Sequence, residues 1–560
     1  MDRAVTDAKE LIQPYCPICQ SSRAVYLFIS QGYPISQCLD CTMLFRNPLP
    51  PPDILQQIYS ETYFLGEQSD EGKARVAAMK AATARLYLGR LVAYTGGAKG
   101  HLLEVGCGTG EFLLEAQQLG FSVTGLEVSP HAVATANAKM GYDTVLCGTL
   151  ETQELPSRTF DVCVLSDMLE HVRDPLATLQ RVHTLLKPGG VILVVTPSVE
   201  SWTAKLLRRS WMEFKLEHLT FFSPTTIGNA LAKADFAQVS IEPNYKILTP
   251  EYIYYHFERF KVPAFSRIVS LAYNLLPNRI RQWQLRVVAS GILVMARTTM
   301  RQSSRPLVSI IVPAYNEQKT FSTVMDALLE KDLGELDKEI IIVESNSTDG
   351  TRNEALRYKN TPQVKVILEP SPRGKGQAVR TGLARANGDF VLIQDADLEY
   401  DFNDYDALLA PLQRYQCAFV LGIRHGKGWK IRQFTDNPWQ AVLLNLGHIF
   451  FTLLLNVLYQ QRLKDPFTMF KVFRRDCLYS IDFECKRFDF DIELVAKLLR
   501  KGYRPVEIPV NYNSRSFSEG KKVRPFRDPL TWIRALVKYR FVPVGQRSQG
   551  ITQDDTGANL

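Results

Sequence analysis

The sequence predicts an α/β chain in which a small cysteine-ligated ribbon precedes two domains, each built on a mostly parallel sheet covered by helices. Three observations predict it. Two C-x2-C pairs stand within the first 41 residues, and apolar runs of strand length alternate with helix-like periodicity, a rhythm that starts afresh near residue 307. At 560 residues the chain also exceeds what one hydrophobic core sustains.

A composition of 46% hydrophobic and 22% charged residues excludes a disordered or fibrous chain. The net charge of +8 is modest for this length, and no basic, aromatic-interleaved patch accompanies it, so no nucleic-acid partner is expected. It would suit anionic substrates or an anionic membrane surface. The N-terminal stretch mixes acids and bases without the apolar core of a secretory signal, which argues for a cytoplasmic protein, with room for peripheral contact at the cytoplasmic face of the membrane. Of the ten cysteines, six are scattered singly, so a disulfide framework is not expected. The segment Trp439 to Tyr459 is long enough to span a bilayer, yet it carries Asn445, His448 and Asn456. It reads as an amphipathic helix that is either buried or membrane-facing.

Residues 1–65 form the first module. Cys16-Pro-Ile-Cys19 and Cys38-Leu-Asp-Cys41 are separated by 18 residues, the spacing of a four-cysteine zinc ribbon. Four thiolates close a tetrahedral Zn2+ site and leave no position for water, so the ion is expected to be structural. The run Asn47-Pro48-Leu49-Pro50-Pro51-Pro52 cannot continue regular structure and marks a boundary.

Residues 66–298 make the second unit. A helical stretch from about Lys73 leads to the strands HLLEV, SVTGLEV, FDVCVLSD and GVILVVTP, and SGILVMAR closes the half. The polar segment 299–306 is a linker. Residues 307–545 begin the rhythm again with VSIIVPAY, EIIIVES, VKVILEP and DFVLIQDAD, and the polar tail 546–560 is expected to be disordered.

In the first half, HLLEV runs into Gly106-Cys107-Gly108-Thr109-Gly110, a glycine turn where doubly wound sheets bind cofactors. Glu127 ends the next strand about 20 residues on, where a carboxylate can bind ribose hydroxyls. Glu104, just before the glycines, suits a cationic methyl donor and would repel a pyrophosphate. With LEVGCGTG, LEVSP, FDVCVLSDMLEHVRDP, LLKPGGVILVVTPS and EHLTFFSP in this order, residues 70 to 300 resemble the class I methyltransferases, which implies a Rossmann-like fold and S-adenosyl-L-methionine as cofactor. The resemblance implies that Glu104, Gly106, Cys107, Gly108 and Gly110 wrap the methionine part and Glu127 the ribose. Leu150 and Glu151 would then flank the adenine and Asp167 the methyl group. A hydroxyl acceptor needs a base, and His171 and His218 are the candidates, with packing or capping as the alternative role for each. A zinc module ahead of such a domain resembles that of some sugar-modifying methyltransferases, which implies a carbohydrate acceptor.

In the second half, VSIIVPAYNE sets Pro313, Ala314, Tyr315 and Glu317 at a strand end, and EIIIVESNSTDGT sets Glu344, Asn346 and Asp349 at another. Turn chemistry alone would also produce SNSTDG. Asp395-Ala396-Asp397 closes DFVLIQ, and in extended structure both carboxylates would face one way to hold a divalent cation with a substrate's phosphates. Arg373-Gly374-Lys375-Gly376 upstream offers cations and backbone to phosphate. With VPAYNE, STDGT, RGKGQAVRTGL, DADLEYD, LKDPFTMFKVFRR and FDIELVAKLLRKGYRPVEIPV, residues 306 to 525 resemble the family 2 glycosyltransferases of GT-A fold, and within them the dolichol-phosphate mannosyltransferase-like subgroup. The resemblance implies Mg2+ or Mn2+ on Asp395, Asp397 and Glu399, and Lys375, Arg424, Arg432, Arg515 and Lys521 on the phosphates of a nucleoside diphosphate sugar or a polyprenyl phosphate acceptor. Family members often carry an aspartate pair where this chain has Glu344-Ser345 and a glutamine at Glu399, and Ser518 and Gly520 also depart from the usual pattern. A glycan hydroxyl acceptor would need a base, for which Asp465 is the candidate.

The combined expectation is a bifunctional transferase. The alternative is a working glycosyltransferase tethered to a non-catalytic binding module of methyltransferase fold.

Overall fold

Apolar strands with both faces buried dominate each half, and they assemble into two seven-stranded sheets, one per unit. The computed structural model describes residues 14–58, 70–259, 263–299, 305–424, 438–514, 528–542 and 544. The chain divides into Met1–Gln302 and Ser303–Leu560, a break inside the segment 299–306.

The first unit opens with β1 (Ala24–Ser30), β2 (Tyr33–Cys38) and β3 (Leu44–Arg46), an antiparallel meander. Its large sheet comprises β4 (His101–Val105), β5 (Ser122–Glu127), β6 (Val145–Cys147), β7 (Phe160–Ser166) and β8 (Leu186–Pro197). After the two-residue β9 (Thr220–Phe221), β10 (Phe236–Leu248) and β11 (Leu285–Thr298) complete it as a long hairpin. The order is β10-β11-β8-β7-β4-β5-β6, and β11 is the strand that runs against its neighbours. Successive strands leave β4 in opposite directions, so a crevice opens at the carboxyl ends of β4 and β7, the place where such sheets take ligands.

The ribbon differs from a free-standing module. Its third strand pairs with β9, so the four-stranded sheet β1-β2-β3-β9 is shared between the cysteine region and the domain behind it. Arg46 locks the junction: its fully buried guanidinium donates to the carbonyls of Ser30, Phe214, Lys215 and His218. Burial pushes that guanidinium down to about 10, a cost offset by its carbonyl partners. The turn of β10 and β11 also carries the helices Pro250–Arg259, Pro263–Leu275 and Asn278–Arg281.

The second unit contains β12 (Leu307–Ala314), β13 (Asp337–Glu344), β14 (Val364–Leu368), β15 (Phe390–Ile393), β16 (Phe419–Ile423), β17 (Lys471–Arg474) and β18 (Val506–Pro509). Their order is β14-β13-β12-β15-β17-β16-β18, with β17 antiparallel to its neighbours. Here too the order reverses at β12, and the carboxyl ends of β12 and β15 frame a cleft. The helix Pro438–Tyr459 packs Phe451, Leu455 and Tyr459 onto this core. Its other face leaves Trp439, Leu443, Leu446, Phe450, Leu453 and Val457 exposed at helical spacing. The span Ala441–Tyr459 is long and apolar enough to cross a membrane, with a mean hydropathy of 2.0.

Candidate active sites

The four cysteines converge. Cys16 Sγ lies 3.5 Å from Cys41 Sγ and Cys19 Sγ 3.6 Å from Cys38 Sγ, and all four sulfurs fall within 4.8 Å of one another. Four thiolates about 2.3 Å from one tetrahedral ion stand roughly 3.8 Å apart, so the cluster fits Zn2+ with little adjustment.

At the end of β4 the chain turns through Gly106, Gly108 and Gly110 with φ of 74°, 54° and 80°. A Cβ at Gly110 would stand 3.0 Å from that of Ala136, so glycine is required both by the left-handed backbone and by the close helix. Glu127, at the end of β5, accepts from Gly108 N at 2.9 Å and from Ser129 N at 3.0 Å. Glu104 is buried, and its Oε2 has no hydrogen-bond partner. Burial, reinforced by Glu111 and Glu127, pushes its carboxyl well above the usual range. A lone buried carboxyl beside a glycine turn fits an ammonium such as that of S-adenosylmethionine, which would ionise it and fill the missing partner.

The Cys107 side chain turns into the core, where a Cβ on Gly125 would meet its Sγ at 2.7 Å, so it offers the cofactor backbone only. Leu150 is likewise a core side chain, and Glu151 is exposed beside it. Asp167 directly follows β7 with φ 49°, and its Oδ2 takes a 2.7 Å ion pair from Lys246 Nζ on β10. Lys246 was not legible in the sequence, because the pairing crosses 79 residues.

His171 and His218 sit together, with ring centroids 4.7 Å apart. Burial, then Lys215, pushes His171 down to about 4, while burial and His171 push His218 well below its ordinary value. Burial therefore favours the neutral form of both rings.

In the second unit one cavity of about 1010 Å³ holds most of the expected residues. Pro313, Ala314, Tyr315, Glu317, Lys375, Asp395, Asp397, Glu399 and Arg424 line it. The acidic pair lies beyond the end of β15, which stops at Ile393, so the pleat of a strand does not align it. Local bonds do that instead: Thr320 Oγ1 donates to Ala396 O at 2.8 Å, and Asp397 Oδ1 accepts from Glu399 N at 3.1 Å. Lys375 Nζ pairs with Asp395, a protein cation where the substrate's metal would sit. Asp395, Asp397 and Glu399 are not among the described groups of three or more ligands within 4.8 Å of one another. Glu399 Oε2 accepts from Tyr512 OH at 3.0 Å, and its carboxylate lines the same cavity as the two aspartates.

Four further residues have protein partners of their own. Asp349 stitches its own turn, accepting from Thr351 N, Thr351 Oγ1 and Gln318 N, and does not line the cavity. Glu344 and Asn346 both turn to Arg352, with Glu344 fully buried beneath the cleft. Asp465 is fully buried in a bidentate pair with Arg424 at 2.8 Å, and although burial alone would raise its carboxyl, Arg424 holds it far below the usual range. It positions Arg424 and is no base. Arg432, Arg515 and Lys521 lie outside the described residues. Sequence reasoning missed His448, Arg487, Asp491 and Tyr512, which reach the cavity from elements far apart in the chain.

Each unit thus carries a strand-end site, one beside a buried carboxyl with an unpartnered oxygen and one around an acidic pair. The description "Methyltransferase domain" matches residues 78–241, and "Glycosyl transferase family 2" matches residues 309–481. The chain thus carries a methyltransferase domain and a family 2 glycosyltransferase domain, each built on a seven-stranded mixed sheet. It is 27% identical over 252 residues to a dolichyl-phosphate beta-glucosyltransferase of Dictyostelium discoideum, covering 42% of this chain and 74% of that one. With a dolichol-phosphate mannosyltransferase of Pyrococcus furiosus it shares 26% over 233 residues, 41% of this chain and 64% of the relative. A solved SAM-dependent methyltransferase from Thermotoga maritima aligns at 18% identity and a TM-score of 0.30, covering 44% of this chain and 99% of that one.

Proposed function

We propose that the C-terminal half transfers a sugar from a nucleoside diphosphate sugar to a polyprenyl phosphate, and that the N-terminal half methylates a sugar or glycan-related acceptor with S-adenosylmethionine. One observation carries the first part. The cavity that holds Asp395, Asp397 and Lys375 continues to Leu443, Gly447, Phe450 and Phe451 on one apolar helix and Trp532 and Ile533 on another. A diphosphate and a divalent ion fit the polar end, and an isoprenoid tail fits the apolar end. Arg424 also lines this cavity, charged and held by Asp465, where it can meet the acceptor's phosphate. A phosphate oxygen is already a nucleophile, so the lack of a free base at Asp465 suits this acceptor better than a sugar hydroxyl. The exposed stripe from Trp439 to Val457 supports peripheral contact with the membrane that carries such a lipid.

The purified chain should release nucleoside diphosphate from its donor only when a polyprenyl phosphate is supplied, and faster with a long chain than with a two-isoprene analogue. Release stimulated by glycan hydroxyls and not by polyprenyl phosphates would sink this assignment.

For the methyl half, Glu104 is the supporting feature. A buried carboxyl with an unpartnered oxygen beside the glycine turn supports S-adenosylmethionine binding, which the catalytic and the binding-only readings share. Glu104→Gln should weaken S-adenosylmethionine by about 10- to 100-fold, the worth of one charge-assisted contact. In the wild type, affinity should rise with pH up to the raised carboxyl value of the free protein, because below it the cofactor must displace a proton from Glu104. Calorimetry across that range checks both; a pH-independent affinity equal in the two proteins would remove Glu104 from the site.

A further inference from the structure

Beside Asp167 the first unit gathers donors that the methyl-transfer assignment leaves unused. Glu170 and His171 lie on the short turn Leu169–His171 after β7, and His218 lies just before β9. One ligand atom from each falls within 4.8 Å of the others. Glu170 is 1% exposed, and its Oε1 has no hydrogen-bond partner.

We propose that Glu170, His171 and His218 bind a divalent first-row transition ion at the edge of the methyl-transfer cleft. The surroundings are those of ligands held by outer partners. Glu170 Oε2 accepts from Thr196 Oγ1 at 3.0 Å, which leaves Oε1 for the ion. His218 Nδ1 donates to Glu213 O at 2.8 Å, which sets the tautomer that leaves Nε2 as a lone-pair donor. The His171 ring also lies within reach of the Glu217 and Asp167 backbone. The two segments are tied by Leu219 N donating to Glu170 O at 2.8 Å, so the three side chains are fixed relative to one another. Nearby lysines are matched by carboxylates: Lys215 pairs with Glu213 at 3.2 Å and Lys246 with Asp167. Two imidazoles and one carboxylate suit Mn2+, Fe2+, Co2+ or Zn2+ and leave coordination positions open. This differs from the cysteine cluster, whose four thiolates fill every position.

The consequence for chemistry rests on the methyl-transfer assignment. An acceptor hydroxyl that ligates the ion loses its proton to solvent at lower pH than a free alcohol. Its oxygen then forms the C–O bond as the methyl–sulfur bond breaks, leaving a methyl ether and a neutral thioether.

The test uses Mn2+ on the full chain carrying Asp395→Ala, which removes the sugar-transfer ion, with zinc left on the cysteines. Electron paramagnetic resonance should count one bound Mn2+ per chain, and Glu170→Gln or His218→Gln should each weaken it at least tenfold. Unchanged S-adenosylmethionine affinity and melting temperature in both variants exclude misfolding as the cause. Absence of bound Mn2+, together with no visible d–d absorption from added Co2+ beyond that of the variants, overturns the site, as does equal binding in all three proteins. Because S-adenosylmethionine binding is read on the same samples, its failure would strike the methyl-transfer assignment and leave the metal result to be judged alone.

Discussion

Asp397→Ala lowers metal-dependent sugar transfer by about three orders of magnitude, roughly 4 kcal/mol of transition-state stabilisation, with the donor's KM rising less than kcat falls. The diphosphate leaves with its charge neutralised by a cation that the aspartate pair must hold. Asp397 is 6% exposed on the cavity wall, and its Oδ1 accepts from Glu399 N in the turn that carries it. Asp395→Ala should be equally inactive for a compound reason: it removes a metal ligand and leaves the Lys375 ammonium without its ion-pair partner. Asp395→Asn separates the two effects, keeping a polar partner for Lys375 while weakening the metal site. Diphosphate release measured across a Mn2+ titration checks this, and wild-type turnover in both alanine variants contradicts the metal assignment.

The second large effect is expected far from either reaction. Cys38→Ser should release zinc and with it much of the roughly 10 to 16 kcal/mol that a structural tetrathiolate site contributes to folding. Because β3 pairs with β9 and Arg46 grips the carbonyls of Phe214, Lys215 and His218, the loss should spread to the loop that carries His218. Glu104, Gly106 and Glu127 belong to the other sheet, so S-adenosylmethionine binding should survive better than methyl transfer does. Zinc content with differential scanning calorimetry tests this: an early transition with zinc lost is expected, and one zinc per chain with an unchanged profile contradicts it.

What could be read in the sequence were features whose logic is local. The glycine turn after HLLEV, the cysteine spacing and the apolar strands carry their own geometry, and each appears where expected. Features made by distant partners could not be read. A two-residue strand such as β9 has no periodicity, so the sharing of the ribbon sheet was invisible. Asp349 and Asp465 have the residue type of functional acids, and only their partners reveal one as a turn-former and the other as the seat of Arg424. The alternation that seemed to align Asp395 and Asp397 belongs to a strand that ends two residues earlier, and side-chain bonds supply the alignment instead.

The claim of two donor sites on one chain is tested most directly by calorimetry of the full protein with S-adenosylmethionine and, separately, with nucleoside diphosphates and Mn2+. Two binding heats are expected, the first weakened by Glu104→Gln and spared by Asp395→Asn, the second weakened by Asp395→Asn and spared by Glu104→Gln. No heat with S-adenosylmethionine, or none with any nucleoside diphosphate in the presence of the metal, would contradict it.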